Sequence, residues 1–146
     1  MARVLVVEDE PNMRKLIAVH LRADDHSLVA VGSLREGLLA MEGQDFDVIL
    51  TDQKLPDGEG VSILQVLSQS ESPASVVMLT AFGTVELALE TMRKGAFDFL
   101  TKPFAAENLR AVIDRAARHT ALQRENALLR SAVDTLAANR LQPWNS

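Results

Sequence analysis

Five short runs, four of them with β-branched residues and the last aromatic, recur along the chain with a helix-like stretch after each: RVLVV (Arg3–Val7), SLVAV (Ser27–Val31), DVILT (Asp47–Thr51), SVVMLT (Ser75–Thr80) and FDFL (Phe97–Leu100). The runs are almost continuously apolar instead of alternating, which is the pattern of strands covered on both faces. Right-handed crossovers between such strands build a doubly wound sheet, so the spacing predicts a (βα)5 unit with five buried parallel strands. The intervening stretches carry their own punctuation. Pro11 follows Asp9-Glu10 and opens a stretch bearing Met13, Leu16, Ile17, Val19 and Leu21. Ser33 and Glu36 frame a capping box at the second. The third follows Gly58 with Val61, Ile63, Leu64, Val66 and Leu67; the fourth follows Gly83-Thr84 with Val85, Leu87, Ala88, Leu89 and Met92 and stops at Lys94-Gly95. The fifth begins near Ala105.

With 146 residues, 47% of them hydrophobic, the chain fills one α/β core and leaves material for an appendage. No apolar run approaches the length of a bilayer span, and "MARVLVVEDEP" enters a strand without a cleavable signal pattern, so the expected location is the cytoplasm. Cysteine is absent and His20, His26 and His119 are scattered, so any metal would be held by oxygen. The net charge of −5 is uneven: residues 1–104 carry 9 basic and 16 acidic side chains, residues 105–146 carry 6 and 4. That slight basic excess, on a predicted helix without interleaved aromatics, gives no footprint for direct nucleic-acid contact.

In open sheets of this type ligands sit outside the carboxyl ends of the strands. Glu8 and Asp9 follow the first run, Asp52 stands at the end of the third, directly after Thr51, Thr80 ends the fourth, and Lys102-Pro103 follows the fifth. A strand-end Asp is often only a turn former, and Glu8-Asp9 could simply cap the first helix. Acidic groups crowded into one crevice repel, however, and the arrangement makes sense around Mg²⁺, which takes a few carboxylates and leaves positions for water and phosphate. Asp52 can then act as a nucleophile towards phosphorus, with Thr80 and Lys102 holding the transferred oxygens.

The order Glu8-Asp9, Asp52 with Pro56 and Gly60 behind it, Thr80-Ala81, and "GAFDFLTKPF" (95–104) resembles the receiver domain of bacterial two-component response regulators over about residues 2–118. The resemblance implies a sheet of order 2-1-3-4-5 and phosphate donated to Asp52 by a sensor histidine kinase with Mg²⁺, in a self-catalysed reaction with no enzymatic turnover of a substrate. It further implies that Asp9 binds Mg²⁺ directly, Glu8 through water and Lys54 through its backbone carbonyl. Thr80 would bond the phosphoryl group, Lys102 would pair with it, Phe99 would be the aromatic switch residue, and Lys102-Pro103 would be cis. This chain departs from the commoner pattern with Glu at the first acidic position, Leu55 in place of Met, and a switch residue without a hydroxyl. Lys54 and Phe82, each two places after a key residue, would flank the approach of hydrolytic water.

From Ala105 to about Leu141 there is no Gly or Pro, a helix too long to lie wholly on the sheet. Its outer part carries Leu122, Leu129 and Leu136 at heptad position d with Asn126 and Val133 at a, a pattern that favours a parallel two-stranded coiled coil. The expected division is a phosphoacceptor receiver at 1–118, a helical coiled-coil linker at 119–142 and a tail at 143–146. A receiver with such a linker resembles the N-terminal part of the nitrogen-regulatory class of activators that act on sigma-54 polymerase. Members of that class continue into an AAA+ ATPase and a DNA-binding domain; these 146 residues contain no GxxxxGK[ST], so those output domains would belong to a longer chain. Other readings stay open at this level: a receiver with a different output or none, a pseudo-receiver that binds without phosphate, and a phosphohydrolase with an Asp nucleophile, for which Lys54 stands where a second Asp is wanted.

Overall fold

The protein is described here by a computed structural model that covers residues 1–81 and 84–141, with side chains to 138 in the last helix; Phe82 and the tail at 143–146 lie outside the described residues. The chain runs β1 (Arg3–Val7), α1 (Pro11–Ala23), β2 (Ser27–Val31), α2 (Leu34–Gly43), β3 (Val48–Asp52), β4 (Lys54–Leu55), β5 (Gly58–Glu59), α3 (Val61–Ser70), β6 (Ser75–Thr80), α4 (Val85–Arg93), β7 (Asp98–Thr101) and α5 (Ala106–Leu141). Five strands form one sheet in the order β2-β1-β3-β6-β7, and every neighbouring pair is parallel. Leaving out the two-residue β4 and β5, this is the expected 2-1-3-4-5 order. The chain turns to one side of β1 for β2 and to the other for β3, so the crevice of the sheet lies between β1 and β3.

The period of two along each strand sends alternate residues to opposite faces. Val4, Val6, Leu50, Val77 and Leu79 pack with Ile17 and Leu21 of α1 and Leu109, Val112 and Ile113 of α5. Leu5, Val7, Ile49, Val76 and Met78 pack with Leu34 of α2 and Ile63, Leu64 and Leu67 of α3. Each such side chain contributes about 1.5–3 kcal/mol by leaving water, so the central strands anchor the domain. Gly37 lets α2 approach β1, since a Cβ there would stand 2.9 Å from Val7 Cγ2.

Burial is less uniform than the runs imply. β1, β3 and β6 are buried almost throughout, whereas no residue of β2 or β7 is buried, because each edge strand is covered by helices only in part. The apolar pattern of α4 is likewise only half used. Thr91 is its one buried residue, while Val85, Leu89 and Met92 face solvent. Strand bounds shift by one residue at β3 and β7, and the shift at β3 carries Asp52 into the ladder opposite Leu79.

α5 is a single helix of 36 residues, roughly 54 Å at 1.5 Å per residue. Its first turns are packed on the sheet. Near the N-terminal edge of the sheet the Thr120 hydroxyl donates to the Asp47 carbonyl oxygen at 2.6 Å, and Arg124 pairs with the Asp47 carboxylate at 3.2 Å. Beyond that contact Leu122, Leu129, Val133 and Leu136 are all exposed, with Leu128 beside them, and Asn126 is exposed on the same segment.

Candidate functional site

Each site residue is delivered by the end of a central or neighbouring strand. Glu8 continues β1 by one residue, its amide donating to the Val31 carbonyl at 3.0 Å, and its side chain is fully buried. Asp9 follows, exposed, with its amide donating to Asp52 Oδ2 at 3.3 Å. Neither caps α1: that role falls to Glu10, whose carboxylate accepts from the amides of Asn12 at 3.0 Å and Met13 at 2.6 Å. Glu8 and Asp9 are thereby left for the crevice.

Asp52 is the last residue of β3 and only 3% exposed. Thr80 ends β6 and is buried; its carbonyl accepts from the Lys102 amide at 2.8 Å, which sets the start of the lysine's reach. The Lys102-Pro103 bond is cis, as the resemblance implied. Lys102 Nζ then donates to Glu8 Oε1 at 2.6 Å and to Asp52 Oδ1 at 2.7 Å. One ammonium thus bridges two buried carboxylates. Burial pushes the Asp52 carboxyl above the usual carboxylate range, against the opposing pull of Lys102 and the Asp9 amide.

Glu8, Asp9 and Asp52 each bring a carboxylate oxygen within 4.8 Å of the others. Three carboxylates against one ammonium leave two formal negative charges, the complement of one divalent cation. The second Glu8 oxygen, Oε2, is buried without a hydrogen-bond partner among the described residues, and a buried lone carboxylate oxygen is costly unless something positive or protic reaches it. An all-oxygen donor set with an orphaned buried oxygen and one exposed carboxylate fits a hard, partly hydrated ion of the Mg²⁺ type. The mouth of the site is a hollow of about 250 Å³ with Asp9, Asp52, Lys54, Thr80, Leu87 and Lys102 on its walls. Larger hollows of about 480–650 Å³ lie at the N-terminal edge of the sheet, but no buried carboxylate reaches their walls.

The residues named from the sequence at 8, 9, 52, 54, 80 and 102 therefore stand together. Phe99 does not line this hollow; half-buried in β7, it packs on the same side as Met78 and Leu64. Two further residues support the site. Leu87 of α4 walls the hollow, and Gly60 lies so close under the site that a Cβ there would stand 2.3 Å from the Asp52 carbonyl oxygen. The first has no local signal in an amphipathic helix, whereas the eight-residue spacing from Asp52 to Gly60 was visible without its reason.

Comparison with known proteins agrees in both sequence and shape. The profile of the family described as "Response regulator receiver domain" matches residues 4–114. The response regulator protein PilR of Pseudomonas aeruginosa is 40% identical over 119 residues, covering 80% of this chain and 26% of PilR. The chain thus spans about a quarter of the length of PilR and FleR of Pseudomonas aeruginosa and half that of TcrA of Mycobacterium tuberculosis. The signal receiver domain of a LuxO repressor protein from Vibrio parahaemolyticus superposes with a TM-score of 0.80 at 32% identity, covering 84% of this chain and 95% of that one. A beryllofluoride-activated NtrC4 receiver domain, solved as a dimer, gives 0.76 at 30% identity over 81% of this chain and 98% of its own. Among the described residues no helix is long and apolar enough to cross a membrane.

Proposed function

Because the chain belongs to the response regulator receiver family, we propose that Asp52 is its phosphoacceptor and that the donor is a phosphohistidine on a sensor histidine kinase. The observation that carries this reading is the Lys102 bridge between buried Glu8 and Asp52 beside an unpaired carboxylate oxygen. In the transfer, an Asp52 carboxylate oxygen bonds to phosphorus as the bond from phosphorus to the donor imidazole nitrogen breaks. The electron pair stays on that nitrogen, which takes up a proton. Glu8, Asp9 and Asp52, with the Lys54 carbonyl, would hold Mg²⁺, whose charge offsets that of the carboxylates and phosphoryl oxygens. Lys102 keeps the charge balance on the other side: a phosphoryl group of about −1.5 to −2 charge becomes the stronger partner for its ammonium.

The same charge supplies the signal. Thr80 bonds the phosphoryl oxygens, and Phe99, packed beside Met78 in β7, follows by ring packing alone since it has no hydroxyl. Moving a two-state element from 1:99 to 99:1 takes about 5.5 kcal/mol of differential stabilisation, and charge-assisted bonds to Thr80 and Lys102 in a partly dry site are of the right strength. The exposed stripe Leu122, Leu129, Val133 and Leu136 is read as the seam of a linker dimer, with Asn126 setting register. The NtrC4 receiver domain, solved as a dimer, supports dimerisation. Output is read as an AAA+ and DNA-binding module of the sigma-54 activator class on a longer chain.

Incubation with acetyl phosphate and Mg²⁺, followed by intact mass, tests the phosphoacceptor. Addition of one phosphoryl group to wild type and none to Asp52→Asn is expected; equal labelling of both would overturn it, and no labelling of wild type would favour a phosphate-independent binding module. Sedimentation with and without beryllofluoride tests the dimer, and unchanged mass and shape would remove its regulation.

A further inference from the structure

We propose that Asp57 is a positioning residue for this site: its carboxylate fastens the β4–β5 hairpin to the N-terminus of α2 and thereby holds the Lys54 main chain at the mouth of the acidic hollow. The inference rests on the reading of Asp52 as phosphoacceptor with Mg²⁺ beside it.

After Asp52 the chain leaves the sheet and returns at Gly60 through a hairpin of two rungs, Lys54 opposite Glu59 and Leu55 opposite Gly58. A two-stranded ribbon this short has little stability of its own, so its position depends on what grips it. At its base the Gly60 amide donates to the Gln53 carbonyl at 2.9 Å. At its tip Asp57 reaches across to α2. The Leu34 amide donates to Asp57 Oδ1 and the Arg35 amide to Oδ2, each at 2.9 Å. Leu34 also closes on Gly58, where a Cβ would stand 2.6 Å from Leu34 Cδ2. Leu55 and Leu34 enter the same buried cluster.

The first turn of α2 shows why this contact is unusual. Ser33 already serves the helix locally, its hydroxyl accepting from the Glu36 amide at 3.1 Å and its carbonyl from the Gly37 amide at 3.0 Å. The two remaining open amides go to a carboxylate 22 and 23 residues away. A carboxylate at the positive end of a helix is favoured by charge as well as by hydrogen bonding, so α2 is a fixed anchor. Lys54, three residues before Asp57 in the same hairpin, lines the hollow with Asp52. Any shift of the tip is therefore passed to Lys54, and by linkage an ion held at Lys54 tightens the Asp57 grip on α2.

The test compares Asp57→Ala with Ile113→Val, a core change on the opposite face of the sheet, using Mg²⁺ titrated into the whole chain by calorimetry and amide hydrogen exchange by NMR. Asp57→Ala is expected to bind Mg²⁺ about tenfold more weakly, at the lower end of what loss of an outer-shell partner costs. Ile113→Val should bind like wild type although it too loses stability. Asp57→Asn, which keeps one carbonyl acceptor, should fall between. In wild type, Mg²⁺ should slow exchange at the Leu34 and Arg35 amides, and in Asp57→Ala it should not. Wild-type Mg²⁺ affinity in Asp57→Ala, or equal weakening in Ile113→Val, would overturn the inference while leaving the phosphoacceptor reading intact. Failure of wild type itself to bind Mg²⁺ would overturn both.

Discussion

Gly60→Ala should unseat the backbone under the phosphoacceptor. A Cβ at this position falls 2.3 Å from the Asp52 carbonyl oxygen and 3.2 Å from both Thr51 Cγ2 and Thr51 Oγ1, where ordinary contact begins at 3.4 Å. Roughly 1 Å must be found on one side or the other. Neither side yields easily, because Thr51 and Asp52 are buried in a strand paired to β1 and β6, and overpacking of a tight interior costs about 1–3 kcal/mol. The Gly60 backbone itself is right-handed, with φ −58° and ψ −24°, so alanine adopts it without strain and recovers about 0.4–1 kcal/mol through the unfolded chain. A net loss of roughly 1–2 kcal/mol remains. Gly43→Ala, where a Cβ meets nothing within 4 Å, supplies the contrast and should gain about 0.4–1 kcal/mol. Urea unfolding followed by circular dichroism measures both. The same displacement tilts the Asp52 carboxylate, and a misplacement of about 1 Å can cost on the order of 100-fold in rate, so labelling of Gly60→Ala by acetyl phosphate should slow sharply. A Gly60→Ala protein with the wild-type midpoint and the wild-type labelling rate would refute the packing argument.

Burial holds the Asp52 carboxyl above its ordinary range, so between its unfolded and folded values the native state binds more protons than the unfolded one, and stability should fall as pH rises through that window. In a chelator, that component should be missing from the unfolding profile of Asp52→Asn; an identical slope in both proteins would contradict it. Mg²⁺ at a hundredfold excess over its Kd should add about 2.7 kcal/mol to wild type, read as a rise in Tm, and an unmoved melt would count against the ion. Lys102→Met leaves Glu8 and Asp52 buried without their cation and should cost roughly 3 kcal/mol in chelator, with much of the loss restored by Mg²⁺; a loss that Mg²⁺ leaves untouched would contradict the shared-charge account. Leu129→Ala with Val133→Ala, both exposed, should lower the sedimenting mass without lowering the stability of the receiver, and a pair that sediments as wild type would place the seam elsewhere.

The order and type of the sheet elements followed from the sequence because apolar period and turn chemistry are local. RVLVV, DVILT and SVVMLT read as buried strands and are buried; Pro11, Ser33 and Gly95 mark helix ends that the structure keeps. The strand-end polar residues were legible for the same reason, since a parallel sheet must deliver its carboxyl ends to one edge. What local pattern does not carry is the neighbour. SLVAV looks as buried as RVLVV, yet it lies at an edge and is only partly covered; α4 keeps its apolar pattern with Val85 and Leu89 in solvent. Whether Glu8-Asp9 or Glu10 caps α1 depended on which carboxylate β1 buries. The Lys102 bridge joins side chains 94 and 50 residues apart, and Asp57 reaches α2 across 22 and 23. Such contacts are set by how strands and loops are brought together in space, so residue types and spacing along the chain determined the candidates, and only the closed tertiary structure decided which partner each charge would meet.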